Sequence, residues 1–347
     1  MKLAIVGPYF FGYLSDLAAR MSAQNIPATF YDERASNKLS HKIFVRFAPY
    51  NIKELISKRH VDILVDRIIA AESTHVLLVS TENISPNAAN RLKAAGIKVF
   101  LYMFDALANK DAARALLPEV AGVASFDPQD CLNYGFLPIP LFSAAPREVP
   151  PPEKIYDFLC CATLHSDRPT RLMELIHAIN AREWRAKLML FYHSRFLWMI
   201  RYANSPRVWP LVSLISTQAF SQTNIARETQ RARVAIDIHH GAQSGLTMRT
   251  FEALALGSIL LTTNETVRLE LPQRLQERVV ILQHDDILGS LQRAYDKSYS
   301  LPSLNEWESY TLSVDRFIAQ IRAFITEADV PATFRKPSIT HSEGAAI

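Results

Sequence analysis

The sequence predicts an α/β protein built from two doubly wound domains, each a parallel sheet with helices on both faces. The 347 residues exceed what a single hydrophobic core usually organises. Apolar runs of strand length alternate with helix-forming segments, and strands separated by single helices pair in parallel. This alternation is interrupted once, by a proline-rich polar stretch at 143–154, and then begins again. The sequence thus predicts a first domain at 1–142, a linker at 143–154 and a second domain at 155–325.

The first half alternates strands and helices throughout. Its strands are predicted at 2–6, 28–31, 43–47, 75–80, 98–103, 123–125 and 136–141, and its first helices at 13–23 and 52–71. Two further helices begin at Ser85-Pro86 and Asp127-Pro128, where a capping side chain precedes a proline in the first helical position. Each of these helices ends at a glycine, which accommodates the left-handed conformation there.

The second half repeats the pattern. Its strands are predicted at 156–162, 187–191, 234–238, 258–263 and 279–282, and its helices at 170–181, 246–256, 285–297 and 304–325. Beyond them, residues 331–347 are small and polar, which predicts a mobile tail.

The segment from Val234 to Asn264 forms one βαβ unit with a polar loop at 239–245. In open α/β sheets, ligands bind beyond the carboxyl ends of the strands. This loop leads directly into a helix N-terminus, whose unpaired N–H groups and positive dipole attract an anion. The sequence therefore predicts a phosphate-binding site at this loop.

Composition restricts the range of functions and locations. A net charge of +4 without an arginine- or aromatic-rich recognition motif argues against nucleic acid as a partner. The N-terminal apolar run of about four residues is too short for a signal peptide. No segment reaches the roughly 20 apolar residues that span a bilayer. We therefore expect a cytoplasmic protein, with peripheral contact to the inner membrane as an option.

That option arises from the stretch 184–227, which contains six arginines and lysines and no acidic residue. Within it, the run FYHSRFLWMIRYA at 191–203 is both aromatic and basic. Such a run is typical either of a core helix whose arginines reach solvent or of a surface that binds anionic lipids. From sequence alone we favour the core helix.

The run SGLTMRTFEALALGSILLTTN at 244–264 resembles the donor-binding segment of GT-B glycosyltransferases, especially bacterial enzymes of capsule and lipopolysaccharide assembly with a group 1-like C-terminal domain. Asp127-Pro128 and the HSDR turn at 165–168 extend the resemblance, which covers most of 1–325. It implies two Rossmann-like domains facing a cleft, the first binding the acceptor and the second a nucleotide-sugar donor. It also implies metal-independent sugar transfer to a carbohydrate or lipid-linked acceptor in surface polysaccharide assembly.

The resemblance places Glu252 on the glutamate that binds the donor ribose, but it is incomplete. Many retaining members carry another glutamate eight positions earlier, where this chain has Ser244, so the anomeric outcome stays open. The first loop, GPYFFGY, is bulky where the family has small residues. In this fold that loop meets the acceptor, so Tyr9 and Phe10 are candidates to stack on a sugar.

Several polar residues around the loop are candidates for donor binding. Arg249 and Glu252 lie three apart on one helix face, as a phosphate and ribose pair or as a local ion pair. The other candidates are Ser244, Gly245 and Thr247 at the helix start, His240 after the strand, Arg168 in the first βα loop of the second domain, and Asn264 after the next strand. For Ser244 and Thr247, simple N-capping is the alternative.

Catalysis requires a base for the acceptor hydroxyl and stabilisation of the leaving diphosphate. Asp105 and Glu82 each follow a strand of the first domain and are candidate bases, although loop acids often serve only as caps. His239 is a candidate to contact the leaving phosphate, or a structural histidine. With no Asp-x-Asp motif and no spaced histidine pair, we expect neither a metal nor a cofactor beyond the donor itself.

Two other functions are compatible with the same residues. One is a sugar-nucleotide epimerase of similar fold, which needs acids that the sequence does not identify. The other is a non-catalytic cytosolic protein that binds or senses nucleotide sugars, consistent with Ser244 in place of an acid.

Overall fold

The computed structural model describes residues 1–9, 12–35, 50–165, 168–239 and 244–327, and its strands form two parallel six-stranded sheets. The first sheet contains β1 (Leu3–Gly7), β2 (Ala28–Asp32), β3 (His75–Val79), β4 (Lys98–Met103), β5 (Gly122–Ser125) and β6 (Leu137–Pro138). They lie in the order β2-β1-β3-β4-β5-β6. Its helices are α1 (Tyr13–Ala23), α2 (Tyr50–Ala70), α3 (Pro86–Ala94), α4 (Asp111–Leu116) and α5 (Pro128–Tyr134). The predicted strand at 43–47 lies outside the described residues.

The second sheet contains β7 (Tyr156–Thr163), β8 (Ala186–Phe191), β9 (Ile215–Ser216), β10 (Ala232–Asp237), β11 (Ile259–Thr262) and β12 (Val279–Ile281). They lie in the order β12-β11-β10-β7-β8-β9. Its helices are α6 (Arg168–Ala181), α7 (Arg195–Arg201), α8 (Gln222–Gln230), α9 (Met248–Ala255), α10 (Val267–Glu270), α11 (Gln273–Gln276) and α12 (Ile287–Ser300). A 3-10 helix, Pro206–Leu214, precedes β9.

The core of the first half lies on both faces of its sheet. Every residue of β1 is buried. Because successive strand residues point to opposite faces, Leu3 and Ile5 join one hydrophobic cluster while Ala4 and Val6 join another. Burial on both faces requires continuous apolar strands, and the sequence shows this pattern. The predicted α/β class with two doubly wound sheets is confirmed.

The chain returns to the first half at its end, through α13 (Glu306–Leu312) and α14 (Val314–Glu327). In α14 the ring of Phe317 lies 5.1 Å from that of Tyr102, and Phe324 lies 5.3 Å from Phe100 on β4. Helix α14 therefore packs on the first sheet although it follows the second in sequence. The single helix predicted at 304–325 is two helices, separated at Ser313.

Two passages of the chain between the halves run side by side. Ser143 forms an isolated parallel bridge with Ser313, and its N–H donates to the carbonyl of Leu312 at 2.8 Å. Within the described ranges, no helix combines the length and apolar character needed to cross a bilayer. The predicted tail at 331–347 lies outside the described residues.

Candidate functional site

A cavity of about 240 Å³ lies at the carboxyl edge of the second sheet and is lined by several of the predicted donor-site residues. We call it the donor-side cavity. Its walls come from the ends of β7, β8 and β10, from α8 and from the first turns of α6 and α9. It lies where doubly wound sheets bind ligands.

The donor-side cavity has one apolar and one polar wall. The apolar wall contains Met189, Phe191, Ala219, Phe220 and Ile225. The polar wall contains Arg168, Asp237, Thr247, Arg249 and Glu252. Such a space suits a ligand with a flat apolar part and an anionic part.

Arg168 is held on the polar wall by a backbone carbonyl and a histidine ring. Its Nε donates to the carbonyl of Ile238 at 3.0 Å, and its Nη1 lies 3.4 Å from Nε2 of His165. No described carboxylate forms an ion pair with Arg168. Arg168 therefore lines the cavity without an ion-pair partner among the described carboxylates, and its role toward a phosphate stays a prediction.

Thr247 begins helix α9 as its N-cap. The hydroxyl accepts from the N–H of Thr250 at 3.4 Å and donates to Oδ2 of Asp237 at 3.1 Å. Asp237 is buried at the end of β10. The capping alternative thus describes Thr247, while Met248 and Arg249 of the first turn line the cavity.

Glu252 joins the two halves of the molecule. Its Oε1 accepts from the hydroxyl of Tyr13 in α1 at 2.5 Å, and its Oε2 lies 3.0 Å from Nη1 of Arg249. Burial, together with the charge of Glu252, raises the pKa of Tyr13. The Arg249–Glu252 pair is buried rather than a surface ion pair, and Tyr13 occupies the carboxylate predicted to bind a ribose.

Ser244 and Gly245 contact the first half and do not line the donor-side cavity. The hydroxyl of Ser244 donates to Oδ1 of Asp127 at 2.5 Å, and its N–H donates to Oδ2 at 3.0 Å. Burial alone would raise the pKa of Asp127, but these bonds lower it. A Cβ on Gly245 would lie 2.7 Å from ring carbons of Phe126, so only glycine fits there. These residues join the halves.

Asn264 and His239 also lie outside the lining of the donor-side cavity. The side chain of Asn264 is buried, donating to the carbonyl of Gly245 at 3.2 Å and accepting from the N–H of Thr266 at 3.0 Å. It therefore braces the loop before α9. The N–H of His239 donates to Oγ1 of Thr263 at 2.8 Å. His240 lies outside the described residues.

A second cavity, of about 210 Å³, opens on the first half, and we call it the acceptor-side cavity. Tyr13 and Met248 line both cavities and separate them. The predicted bases Glu82 and Asp105 both line the acceptor-side cavity. The two cavities therefore meet across one tyrosine and one methionine.

The carboxylates of the acceptor-side cavity are ion-paired. Lys110 Nζ lies 2.7 Å from Oε1 of Glu82 and 3.4 Å from Oδ2 of Asp105, and Arg34 Nη2 lies 3.1 Å from Oε2 of Glu82. Burial alone would raise the pKa of Glu82, but Lys110 and Arg34 lower it. Glu82 is thus ionised and accepts a proton only weakly near neutral pH.

Glu33 lies behind Glu82 and is almost fully buried. Its carboxylate accepts from the N–H of Glu82 at 2.9 Å and of Asn83 at 3.0 Å. Burial raises the pKa of Glu33 to about 7, against these bonds. A group that titrates near neutrality thus supports the loop that carries Glu82.

Tyr9 does not line the acceptor-side cavity, although its neighbour Pro8 does. The ring of Tyr9 is half exposed, and its N–H donates to Oδ1 of Asp32 at 3.2 Å. Phe10 lies outside the described residues. The stacking role of these aromatic residues stays a prediction.

The residues of the two cavities that were not identified from sequence include Tyr13, Arg34, Lys110 and Asp237. Asp237 carried a usable signal, since a carboxylate that ends a buried strand lies at the ligand edge. The other three act through partners distant in sequence, and no local pattern indicates such contacts.

Comparison with known proteins identifies the fold. No family model and no curated protein sequence matches the chain. Among solved structures, the chain is similar to HepE from Anabaena in complex with UDP and glucose, with a TM-score of 0.58 and 10% identity over 94% of this chain and 99% of that one. It is also similar to a UDP-GlcNAc 2-epimerase from Neisseria meningitidis bound to UDP-GlcNAc, with a TM-score of 0.56 and 10% identity over 94% and 100%.

A glycosyltransferase from Rickettsia africae is a further structural neighbour, with a TM-score of 0.53 and 11% identity over 95% of this chain and 99% of that one. At such identities the likeness is one of fold. It confirms the predicted GT-B-like arrangement of two Rossmann-like halves.

Proposed function

We propose that this chain is a nucleotide-sugar-dependent glycosyltransferase that binds its donor in the donor-side cavity and its acceptor in the acceptor-side cavity. One observation carries the proposal. A single cavity at the ligand edge of the sheet contains both an apolar wall and Arg168, which has no ion pair with a described carboxylate. A nucleoside diphosphate combines the two matching properties, an anionic diphosphate and a flat base.

The diphosphate is proposed to lie between Arg168 and the start of α9. Arg168 contributes a full positive charge, and the helix N-terminus contributes N–H groups and the positive end of its dipole. Arg249 adds a second cation, already balanced by Glu252 at 3.0 Å. Charge supplied by arginines and a dipole needs no metal ion, in keeping with the family resemblance.

The nucleoside is proposed to lie along Phe191 and Phe220, which line the same cavity as the charged side chains. Aromatic rings provide stacking faces for any base. Glu252 then binds the ribose hydroxyls once they replace the hydroxyl of Tyr13. When the nucleotide sugar binds, a ribose hydroxyl therefore replaces the Tyr13 hydroxyl as the hydrogen-bond partner of Oε1.

In the transfer step, an oxygen of the acceptor attacks the anomeric carbon of the donor sugar. The bond from that carbon to the diphosphate oxygen breaks, and its electron pair leaves with the diphosphate, next to Arg168. The acceptor proton passes to a carboxylate of the acceptor-side cavity. We assign the base to Asp105, because the two cations at 2.7 Å and 3.1 Å lower the pKa of Glu82 and make its carboxylate a weak base.

For the acceptor we propose a carbohydrate or a lipid-linked saccharide of a bacterial surface polysaccharide. The support is the family resemblance of 244–264, together with the neutralised charges of the acceptor-side cavity, which suit an uncharged polyhydroxyl ligand. His239, at the end of the β10 strand region, is proposed to approach the leaving phosphate.

A sugar-nucleotide epimerase is the second candidate, and the likeness to the Neisseria meningitidis epimerase favours it. In that case the same donor-side cavity binds the nucleotide sugar. The carboxylates and Lys110 then exchange protons with the sugar ring instead of with an acceptor.

One experiment in two stages tests the proposal. Calorimetric titration with UDP, GDP and CMP comes first, and binding of none of them at millimolar concentration would overturn both candidates. The nucleotide sugars of the base that binds are then incubated with the protein and followed by NMR. Release of nucleoside diphosphate only when an acceptor saccharide is added supports the transferase. Conversion of the sugar without acceptor, with the nucleotide link intact, supports the epimerase.

A further inference from the structure

We infer that helix α7 and the 3-10 helix Pro206–Leu214 form a surface that binds anionic phospholipid bilayers. We call it the lipid-facing patch. Among its apolar side chains, Phe196 is 67% exposed, Ile200 58% and Met199 47%. Exposure of this many large apolar side chains on two turns of helix is costly unless a partner covers them.

Helix α7 is attached to the protein core through one buried side chain and two hydrogen bonds. Trp198 of α7 is fully buried, and Arg195 donates to the carbonyl of Ile215 at 2.9 Å and 2.7 Å. The core-helix expectation for 191–203 is therefore wrong for most of α7. One tryptophan anchors the helix, and Phe196 and Ile200, four apart, share an outward face.

The adjoining 3-10 helix contributes a tryptophan to the same surface. Trp209 is half exposed, and its Nε1 donates to the carbonyl of Tyr202 at 3.0 Å. The ring is thus held at the surface with its polar atom satisfied. Tryptophans in this arrangement are enriched at the boundary between lipid headgroups and acyl chains.

Charge identifies the partner as an anionic membrane. Residues 184–227 contain no aspartate or glutamate, and Arg201 and Arg207 are exposed beside the apolar side chains. The packed neighbour α6 adds Arg168, Arg171 and a single acid, Glu174. Apolar side chains flanked by arginines combine insertion with attraction to anionic headgroups.

The lipid-facing patch lies close in sequence to a residue that lines the donor-side cavity. It follows β8 directly, and Phe191 at the end of β8 lines the donor-side cavity. Docking through α7 therefore brings the ligand edge of the second sheet close to the lipid surface. An acceptor carried on a lipid would meet the crevice there.

Vesicle sedimentation tests the inference with the full-length protein. Vesicles contain phosphatidylcholine alone, or with about one third phosphatidylglycerol to supply anionic surface. We expect binding to the mixed vesicles only, with loss on raising the salt concentration. The double variant Phe196→Ser, Ile200→Ser should reduce partitioning about tenfold or more, and Arg201→Gln, Arg207→Gln about twentyfold.

A matched control removes two apolar side chains elsewhere that are even more exposed than Phe196 and Ile200. Leu132 is 81% exposed and Leu269 86% exposed, so Leu132→Ser, Leu269→Ser should leave vesicle binding unchanged. Circular dichroism verifies that each variant is folded. Equal binding by wild type and both patch variants would overturn the inference. So would a dimer, measured by light scattering, that the Phe196 and Ile200 substitutions dissociate, because the patch would then bind a second copy. The test needs no nucleotide, so its failure leaves the proposed function standing.

Discussion

The two cavities that meet at Tyr13 and Met248 differ in whether all of their charged side chains form ion pairs. In the donor-side cavity, Arg168 contacts the carbonyl of Ile238 and the ring of His165, and no described carboxylate forms an ion pair with it. In the acceptor-side cavity, Glu82 is held between Lys110 and Arg34 at 2.7 Å and 3.1 Å. Both cavities are lined by two cations and two carboxylates. They differ in that Arg168 has no ion pair with a described carboxylate, whereas both carboxylates of the acceptor-side cavity lie close to a cation.

This difference separates the two ligands by chemistry. An anion gains from an uncompensated arginine, whereas it would have to break ion pairs to bind beside Glu82. A neutral, hydroxyl-rich ligand can bind next to paired charges through hydrogen bonds alone. The shared wall of Tyr13 and Met248 then lies where the two ligands would react.

The largest expected effect comes from the ion pair of Arg249 with Glu252, which also accepts a hydrogen bond from Tyr13 of the shared wall. Glu252→Ala removes the partner of Arg249, whose side chain is 18% exposed, and leaves a mostly buried charge unpaired. We expect the free energy of unfolding to fall by about 3–5 kcal/mol, measured by urea denaturation. The exposed Glu174→Ala on α6 serves as the control. A loss below about 1 kcal/mol would mean that water already screens the ion pair, which would contradict its burial.

The next effect is a pH dependence on the acceptor side, where Glu33 has its pKa raised from 4.5 to about 7 by burial. The folded state then binds this proton more tightly than the unfolded state. Its stabilising contribution is complete below about pH 4.5 and is lost as the pH rises through 7, on the order of 3 kcal/mol in total.

The variant Glu33→Gln has a neutral side chain at every pH. The free energy of unfolding should therefore fall less between pH 4.5 and pH 7 in this variant than in the wild type. Denaturation at a series of pH values measures it. The arginines of the donor side keep their charge throughout this range, so nucleotide affinity should change little across it. Parallel pH profiles for wild type and Glu33→Gln would contradict the assignment.

A smaller effect sharpens the contrast between the cavities directly. Arg168→Gln should weaken binding of a nucleoside diphosphate about tenfold to hundredfold, because a charge-assisted hydrogen bond to phosphate is lost. Lys110→Gln should change that affinity less than about threefold, because Lys110 is already paired. Calorimetric titration compares the two, with Arg182→Gln, exposed beyond the end of α6, as the control. Similar losses of nucleotide affinity for the Arg168 and Lys110 variants would show that the two cavities do not differ in binding the anion.

The smallest effect concerns the hydroxyl of Tyr13. Tyr13→Phe removes its 2.5 Å hydrogen bond to Glu252 and should cost about 1 kcal/mol of unfolding free energy. Because Oε1 of Glu252 is then free for a ribose hydroxyl, nucleotide affinity should rise a few-fold rather than fall. A decrease in affinity would show that Tyr13 itself binds the donor.

Local signals in the sequence predicted most of the fold. Proline caps predicted two helix starts, and in the structure Ser85 accepts from the N–H of Ala88 and Asp127 from the N–H of Gln129. Apolar runs predicted the strands because both faces of each sheet are buried. The packing of α14 on the first sheet was not predicted, since amphipathic periodicity indicates a buried face without indicating its partner.

In the candidate site, too, contacts between residues close in sequence were predictable and contacts between distant residues were not. Contacts within one helix turn followed from spacing, as for Arg249 and Glu252. Contacts across the halves did not, as for Tyr13 with Glu252 or Asp127 with Ser244, because their partners lie more than a hundred positions away. The exposed face of α7 was also missed, because an apolar helix has the same composition whether protein or lipid covers it.

The paired passages at Ser143 and Ser313 have a mechanical consequence. The halves are thus connected by two passages of chain that one isolated bridge joins, rather than by a single passage free to rotate about its own axis. We expect the relative motion of the halves to be mainly a rotation about an axis near these two residues. A motion restricted in this way would return a ligand bound to one half to the same position against the other half at each closure.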